Sequence, residues 1–193
     1  MLIIKLIALT TLSASLVLAA PNKREKQIKN VVELGTYSSK ILTQTLSKKM
    51  KKKLVDGGVM KALEFCSDEA FNLTEAANKK IPRGVRIKRI SLKYRNPANA
   101  PKDGEAAILE SFQTLKDANA ILPKYVIQQV DSKTDKYYEP IFISNKACLE
   151  CHGQISKDVD LRRKVAARYP IDKAVNYEVG DLRGAIVVTV QRK

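Results

Sequence analysis

The chain has 193 residues, of which 45% are hydrophobic and 28% charged, and its formal net charge is +15. This length accommodates one domain with a sizeable core, and the composition excludes an intrinsically disordered chain. Such a positive charge is typical of nucleic-acid binding, but it also suits an acidic protein partner or an anionic membrane surface.

Residues 1–20 have the build of a secretory signal peptide. One charge, Lys5, precedes an apolar run that ends in small residues, with Val17 and Ala19 placed for cleavage. An uncleaved anchor helix is the alternative, because the run is nearly long enough to span a bilayer. Either way we expect a periplasmic protein. Export argues against nucleic acid as a partner and leaves the membrane a role only through an uncleaved leader.

The next two predicted elements are helices separated by a glycine pair. Residues 21–56 place apolar side chains at helical spacing on a lysine-rich background, and Gly57 and Gly58 terminate this N-terminal helix. A second helix is predicted over residues 59–78, because small and apolar positions recur at helical spacing there. Cys66 lies in the middle of that narrow stripe.

The strands follow in the rest of the chain. Runs of β-branched and aromatic residues predict strands at 85–92, 125–130, 136–143 and 183–190. Helices are predicted at 104–118, capped by Asp103, and at 158–167. Because strands and helices do not alternate regularly, we predict an α+β fold for residues 57–193. It is expected to contain an antiparallel sheet of about five strands, with the two N-terminal helices packed on it.

The chemistry is concentrated in a C-x-x-C-H motif formed by Cys148, Cys151 and His152, the only histidine of the chain. The first interpretation is one covalently attached haem c, whose vinyl groups take the two thiols and whose iron takes the histidine. The alternatives are a dithiol redox pair and a zinc site that adds Cys66. The dithiol lacks a βαβ setting, and the adjacent Cys151 and His152 would chelate one tetrahedral metal poorly.

The second axial ligand of such a haem cannot be another histidine of this chain. The remaining candidates are Met50, Met60, Cys66, a lysine, a tyrosine, water or an open position. Cys66 is a candidate because a flat cofactor can approach closely along its small-residue stripe. An ordinary buried core cysteine is the alternative interpretation.

Several further segments accompany the motif between roughly residues 59 and 190. They read ALEFCSDEA, VRIKRISLKYRNPANAP, DGEAAILESF, YYEPIFISNKACLECHG and RYPIDKAVNYEVGDLRGAIVV. Together they resemble the PAS-like c-type haem proteins, which occur alone or as extracytoplasmic sensor domains in cyanobacteria and proteobacteria. The resemblance implies a PAS-like sheet and a haem held by His152 on one face and Cys66 on the other.

Arginines are candidates for the haem propionates, since a guanidinium group pairs with carboxylates in a bidentate manner. The alternation of the strand at 85–92 slips at Arg89, which predicts either a bulge or an inward-pointing arginine. Arg89 and Arg95 are therefore the predicted propionate contacts, with Arg183 as a weaker candidate.

These features predict a periplasmic redox or gas sensor that responds to a diatomic gas or to redox state. Its output would need a redox or signalling partner protein, acidic if the positive charge guides docking. The alternative is a low-potential electron-transfer cytochrome. A peroxidase or nitrogen-oxide reductase is disfavoured, because no second histidine supplies a distal base.

Overall fold

The computed structural model describes residues 22–102 and 104–192. The predicted leader, residues 1–20, and the predicted helix cap Asp103 lie outside the described residues. The helices are α1 (Lys23–Asp68), α2 (Ala70–Asn78), α3 (Glu105–Asp117), α4 (Lys146–His152) and α5 (Val159–Arg168). The strands are β1 (Val85–Ile90), β2 (Val126–Gln129), β3 (Thr134–Phe142) and β4 (Leu182–Gln191).

Helix α1 begins at a capping box and bends at the predicted glycine pair. Asn22 Oδ1 accepts a hydrogen bond from the Glu25 amide, and the Glu25 carboxylate accepts one from the Asn22 amide. The backbone leaves helical geometry at Gly57 and Gly58, where Gly58 has a φ of 68°, a value that glycine adopts readily. We call the part of α1 before this kink the N-terminal arm and the part after it the C-terminal arm.

The strands form one antiparallel sheet in the order β1-β4-β3-β2. The predicted α+β class is confirmed, but the prediction of about five strands is wrong, because the sheet of the described residues has four. The segment that precedes β4 bonds to the motif helix rather than to a strand: the amides of Asn176 and Tyr177 donate to the carbonyls of Gly153 and His152, at 3.0 and 2.9 Å. These backbone groups are therefore not available to a fifth strand. The PAS-like character of the sheet stays a prediction.

Both faces of the sheet are covered. On one face, Val31 and Leu42 of the N-terminal arm share a core with Ile87, Tyr137 and Val188. A Cβ atom on Gly35 of α1 would overlap the Tyr137 ring, so this helix approaches the sheet closely. The opposite face packs against α3, in a second core whose largest buried side chains are Phe112, Tyr138, Leu109 and Ile90.

The strand β1 settles the interpretation of Arg89. Its register with β4 is continuous from Val85 to Ile90, so the predicted alternative of a bulge is wrong. Arg89 shares the parity of the core residues Val85 and Ile87 and therefore points to the face that α1 covers. Within the described residues, no helix combines the length and apolar character needed to cross a membrane.

Candidate functional site

The short helix α4 presents the C-x-x-C-H motif. Asn145 caps this helix, with its side-chain oxygen accepting a hydrogen bond from the Ala147 amide at 3.0 Å. Cys148 and Cys151 are three residues apart, a spacing that brings helical side chains to the same side. The helix ends at Gly153, whose amide donates to the Leu149 carbonyl at 2.8 Å. Both thiols are thus displayed next to His152, at the helix C-terminus.

The ring of His152 is held in one tautomer. Its Nδ1 lies 2.8 Å from the backbone carbonyl of Ala174, which can only accept, so Nδ1 carries the proton. Burial, together with the nearby positive charges of Arg183 and Arg95, lowers the pKa of His152 to about 3. The imidazole is therefore neutral at physiological pH, and its Nε2 lone pair is available to a ligand or metal.

Two pockets meet at His152. One, of about 140 Å³, lies between α1, α2 and α4, and Cys66 and Cys151 are among the side chains that line it. The other, of about 400 Å³, extends from His152 to the N-terminal arm of α1 and the end of β3. Arg89 and Arg183 line both pockets. We call these two adjoining pockets, which share His152, Arg89 and Arg183, the cleft.

The C-terminal arm of α1 brings Cys66 to the motif. Cys66, Cys151 and His152, which are far apart in sequence, line the same pocket. The Cys66 side chain is accessible to solvent, yet enough protein surrounds the thiol that burial raises its pKa. Both observations hold for a side chain that lines a concave pocket, and Arg89, Arg95 and Arg183 favour the thiolate by opposing the effect of burial.

The two methionine candidates for the second axial ligand lie elsewhere. Met60 packs against the cluster of Leu63, Leu161 and Tyr169, where α1 meets α5. Neither Met60 nor Met50 lines the two pockets beside His152. Of the sulfur ligands considered, the structure brings only Cys66 to the pocket of His152.

Two arginines in this cleft have no acidic partner among the described residues. The Arg89 Nε is buried and makes no hydrogen bond within the described part of the chain. Arg183 Nη1 donates to Ser91 Oγ at 2.9 Å and to the Lys93 carbonyl at 3.2 Å, and both acceptors are uncharged. Burial lowers the pKa of both guanidinium groups, although arginine remains protonated in proteins. The cleft is therefore electropositive and suited to an anionic group.

Arg95, the other predicted propionate contact, has a different set of contacts. Its Nε donates to Asp172 Oδ2 at 3.2 Å, and its Nη2 donates to the carbonyls of Cys151 at 2.7 Å and Ala174 at 3.1 Å. The propionate contact of Arg95 stays a prediction. Sequence reasoning missed Asp172 and Ala174. No spacing signal marks them, since Ala174 acts through its backbone carbonyl.

The alternatives to haem attachment find little support. Within residues 22–102 and 104–192, no group of three or more histidine, cysteine or acidic side chains is placed to hold a metal ion. Burial raises the pKa of Cys151 to about 11, whereas a reactive dithiol needs a lowered thiol pKa. The zinc and dithiol interpretations therefore both fit the geometry poorly.

Fold and site together define a class of protein: an α+β domain with a C-x-x-C-H helix that faces a cationic cleft and a distant cysteine. A family model described as Tll0287-like matches residues 14–191, and the chain belongs to this family. The crystal structure of the cyanobacterial heme-protein Tll0287 is similar, with a TM-score of 0.59 and 22% identity over 90% of this chain and 98% of that one. At this identity the likeness shows the fold. A search of curated proteins found no match.

Proposed function

We propose that this protein is an exported single-haem c-type protein, with His152 and Cys66 as the axial ligands of the iron. The observation that carries the proposal is the convergence of Cys66, Cys151 and His152 on one pocket. Membership of the Tll0287-like family supports it, because a solved structure of similar fold is described as a heme-protein.

The residues of the cleft fit such a group. Cys148 and Cys151 would form the thioether bonds, and the proton on His152 Nδ1 leaves Nε2 for the iron. Arg89 and Arg183 supply cations without acidic partners in the described residues, and the two haem propionates are anions of matching charge. When bound, haem supplies an iron that stores one electron and, with a free axial position, binds a diatomic gas.

Cys66 gives the proposed site its sensing property. A thiolate donates electron density and stabilises ferric iron, so its bond is expected to weaken when the iron is reduced. Cys66 lies on the C-terminal arm of α1, beyond the kink at Gly57 and Gly58, whereas His152 lies on α4. Release of Cys66 would therefore loosen one arm of α1 from the cleft. We propose this change as the signal that a partner protein reads.

The ligand assignment is tested with Cys66→Ala and its matched control Met60→Leu, a sulfur residue on the same arm of α1. We expect Cys66→Ala to change the ferric absorption and EPR spectra, because a thiolate ligand is lost, and Met60→Leu to leave them as in the wild type. An unchanged ferric spectrum in Cys66→Ala would contradict the ligand. A pyridine haemochrome spectrum of the wild type tests the covalent haem separately.

A low-potential electron carrier is the second candidate, favoured by lysines beside the cleft. Thr43 and Ser47 of α1 line the larger pocket, and Lys40 and Lys51 flank them on the same face of the helix, one on each side. Neither lysine forms an ion pair with an acid of the described residues, so both can attract an acidic redox protein.

The two candidates differ in their ligands after reduction. An electron carrier keeps both ligands in both redox states, whereas a sensor changes one. Resonance Raman spectra of the ferric and ferrous protein distinguish them: retention of the sulfur ligand favours the carrier. The carrier also predicts that Lys40→Glu with Lys51→Glu slows oxidation by an anionic complex such as ferricyanide. Lys23→Glu with Lys29→Glu, at the far end of α1, is the charge-matched control.

Export is tested on the secreted protein itself. The mass of the mature chain shows whether the leader, residues 1–20, is removed. A periplasmic location follows from recovery of the haem-stained chain in the periplasmic fraction. Recovery of the full-length chain in the membrane fraction would instead indicate an anchor.

A further inference from the structure

A buried network connects the motif helix to two other segments of the chain. Arg95 follows β1, and its relative exposure is 7%. Its guanidinium group pairs with Asp172, with Nη2 3.0 Å from Oδ2, and both side chains are 9% exposed. The same Nη2 donates to the carbonyl of Cys151, at the end of α4. Arg95 thus links the loop after β1, the motif helix and the loop before β4.

The network ends on the carbonyl that orients His152. The Ala174 carbonyl accepts one hydrogen bond from His152 Nδ1 at 2.8 Å and another from Arg95 Nη2 at 3.1 Å. Asp172 fixes the same residue from the other side, because its Oδ1 accepts a hydrogen bond from the Ala174 amide at 2.8 Å. The position of this carbonyl is therefore set by two side chains that do not touch the imidazole.

The loop before β4 has no regular structure of its own to hold that carbonyl in place. Residues 172–177 lie between α5 and β4, outside any helix or strand. The other anchors of this loop include the hydrogen bond from the Lys173 amide to the Tyr94 carbonyl at 3.0 Å, that from Lys93 Nζ to the Val175 carbonyl at 2.8 Å, and the packing of Ala174 and Tyr177 against Ile143. A buried ion pair with complete hydrogen bonding fixes geometry more tightly than isolated backbone contacts do.

We propose that Arg95 and Asp172 are positioning residues that set the tautomer and orientation of His152 through the Ala174 carbonyl. The inference rests on the proposed function, since it concerns the residue that would bind the haem iron. Such outer contacts to a ligating histidine fix its ring and raise its basicity as a ligand. The role differs from a propionate contact, which would act on the other end of the cofactor.

The single histidine of the chain makes the test direct. Selective ¹⁵N labelling of histidine gives the imidazole signals of His152 alone, and their chemical shifts report the ratio of the Nδ1–H to the Nε2–H tautomer. We would measure this ratio in the full-length chain with Cys148→Ser and Cys151→Ser, which carries no covalent haem. The Arg95 and Asp172 variants described below would also be made in the unmodified chain, which keeps both cysteines, and examined there by EPR of the ferric protein.

The informative variants separate charge from geometry. Arg95→Lys keeps the charge but loses the planar fork that donates from both Nε and Nη2, and Asp172→Ala removes both contacts of that carboxylate. We expect each to lower the tautomer ratio by about fivefold, the effect of weakening one hydrogen bond. Each should also broaden the ferric EPR signals. Asp172→Asn replaces Asp172→Ala if circular dichroism shows that the latter does not fold.

Glu105→Gln is the matched control, because it breaks another buried ion pair that makes no contact with α4. We expect this variant to retain the wild-type ratio and EPR line widths. A wild-type ratio in folded Arg95→Lys and Asp172→Ala would overturn the proposal, as would an equal shift in the control. Failure of the proposed function is distinguished by the absence of haem from the unmodified chain, which leaves the imidazole measurement valid.

Discussion

Two neighbouring residues of β1, Lys88 and Arg89, place their charges in opposite situations. Lys88 Nζ donates to Glu105 Oε2 at 2.8 Å, and Lys136 Nζ donates to Oε1 of the same carboxylate at 3.0 Å. Glu105 is fully buried between them, and the Lys102 amide adds a further hydrogen bond at 3.0 Å. Arg89, one position along the strand, has a buried Nε without a partner in the described chain.

The difference separates a structural charge cluster from a functional one. A buried charge is tolerated when it is paired, and the cluster around Glu105 meets that condition within the protein itself. Arg89 and Arg183, which also line the cleft, do not meet it among the described residues, and the anion of a bound ligand would supply the missing partner. The paired cluster should therefore determine stability, and the unpaired cations should determine binding.

The largest effect is expected when the haem proposed for the cleft can no longer be attached. Cys148→Ser with Cys151→Ser should abolish covalent haem attachment completely, because both thioether sulfurs are lost. Haem staining after denaturing electrophoresis measures this loss. Cys66→Ser, which keeps the motif, should retain the stain. A stained band in the double variant would contradict the proposed attachment.

Breaking the paired cluster should reduce stability. Glu105→Gln leaves Lys88 and Lys136 without their carboxylate and should lower the free energy of unfolding by about 3 kcal/mol. Urea unfolding at neutral pH measures the change. A loss below about 1 kcal/mol, the range of exposed pairs, would mean that this cluster is not structural.

The same carboxylate should make stability depend on pH. Burial alone would raise the pKa of Glu105, but the hydrogen bonds from Lys88, the Lys102 amide and Lys136 outweigh it and hold the pKa below its ordinary value. The stabilisation is therefore fully present above the pKa of an unfolded glutamate, about 4.3, and is lost as the pH falls through the folded value. We expect it to contribute up to about 1.4 kcal/mol per pH unit in that window. Urea unfolding at a series of acid pH values should show a shallower dependence for Glu105→Gln than for the wild type.

The smallest expected effect is that of the unpaired cation on folding alone. In the chain with Cys148→Ser and Cys151→Ser, Arg89→Met should change the free energy of unfolding by less than about 1 kcal/mol or stabilise the fold slightly, since it removes a buried unpaired charge. Urea unfolding compares it with Glu105→Gln in the same chain. A destabilisation as large as that of Glu105→Gln would show that Arg89 has a structural partner and would end the contrast between the two residues.

Local sequence patterns predicted those helices and strands whose formation depends mainly on neighbouring residues. The four strand segments and the break at Gly57 and Gly58 follow from spacing and from glycine geometry. The helix predicted over residues 59–78 forms around Cys66, but the structure divides it at Glu69 into the end of α1 and α2. The prediction of about five strands failed, because the number of strands in a sheet depends on pairing between segments that are distant in sequence. Before β4, the amides of Asn176 and Tyr177 bond to the carbonyls of Gly153 and His152 at the end of α4, which no local pattern indicates.

The candidate site divides in the same way. Cys148, Cys151 and His152 could be identified because their chemistry depends on adjacent positions. Arg89 was noted from a slip in alternation, but its lack of an acidic partner is a property of everything that packs around it. No sequence pattern marks Asp172. One of its partners, Arg95, is distant in sequence, and the other is a backbone amide, that of Ala174.

By itself, the sequence determined the C-x-x-C-H motif and the single histidine, so a second axial ligand of the proposed haem cannot be another histidine of this chain. It also determined the class of fold, because hydrophobic periodicity is a local property of the chain. Only the tertiary structure decided that Cys66 and His152 line one pocket, that Arg89 and Arg183 lack acidic partners in the described residues, and that Arg95 braces Ala174. Those relations depend on which surfaces pack together, and packing joins residues that are distant in sequence.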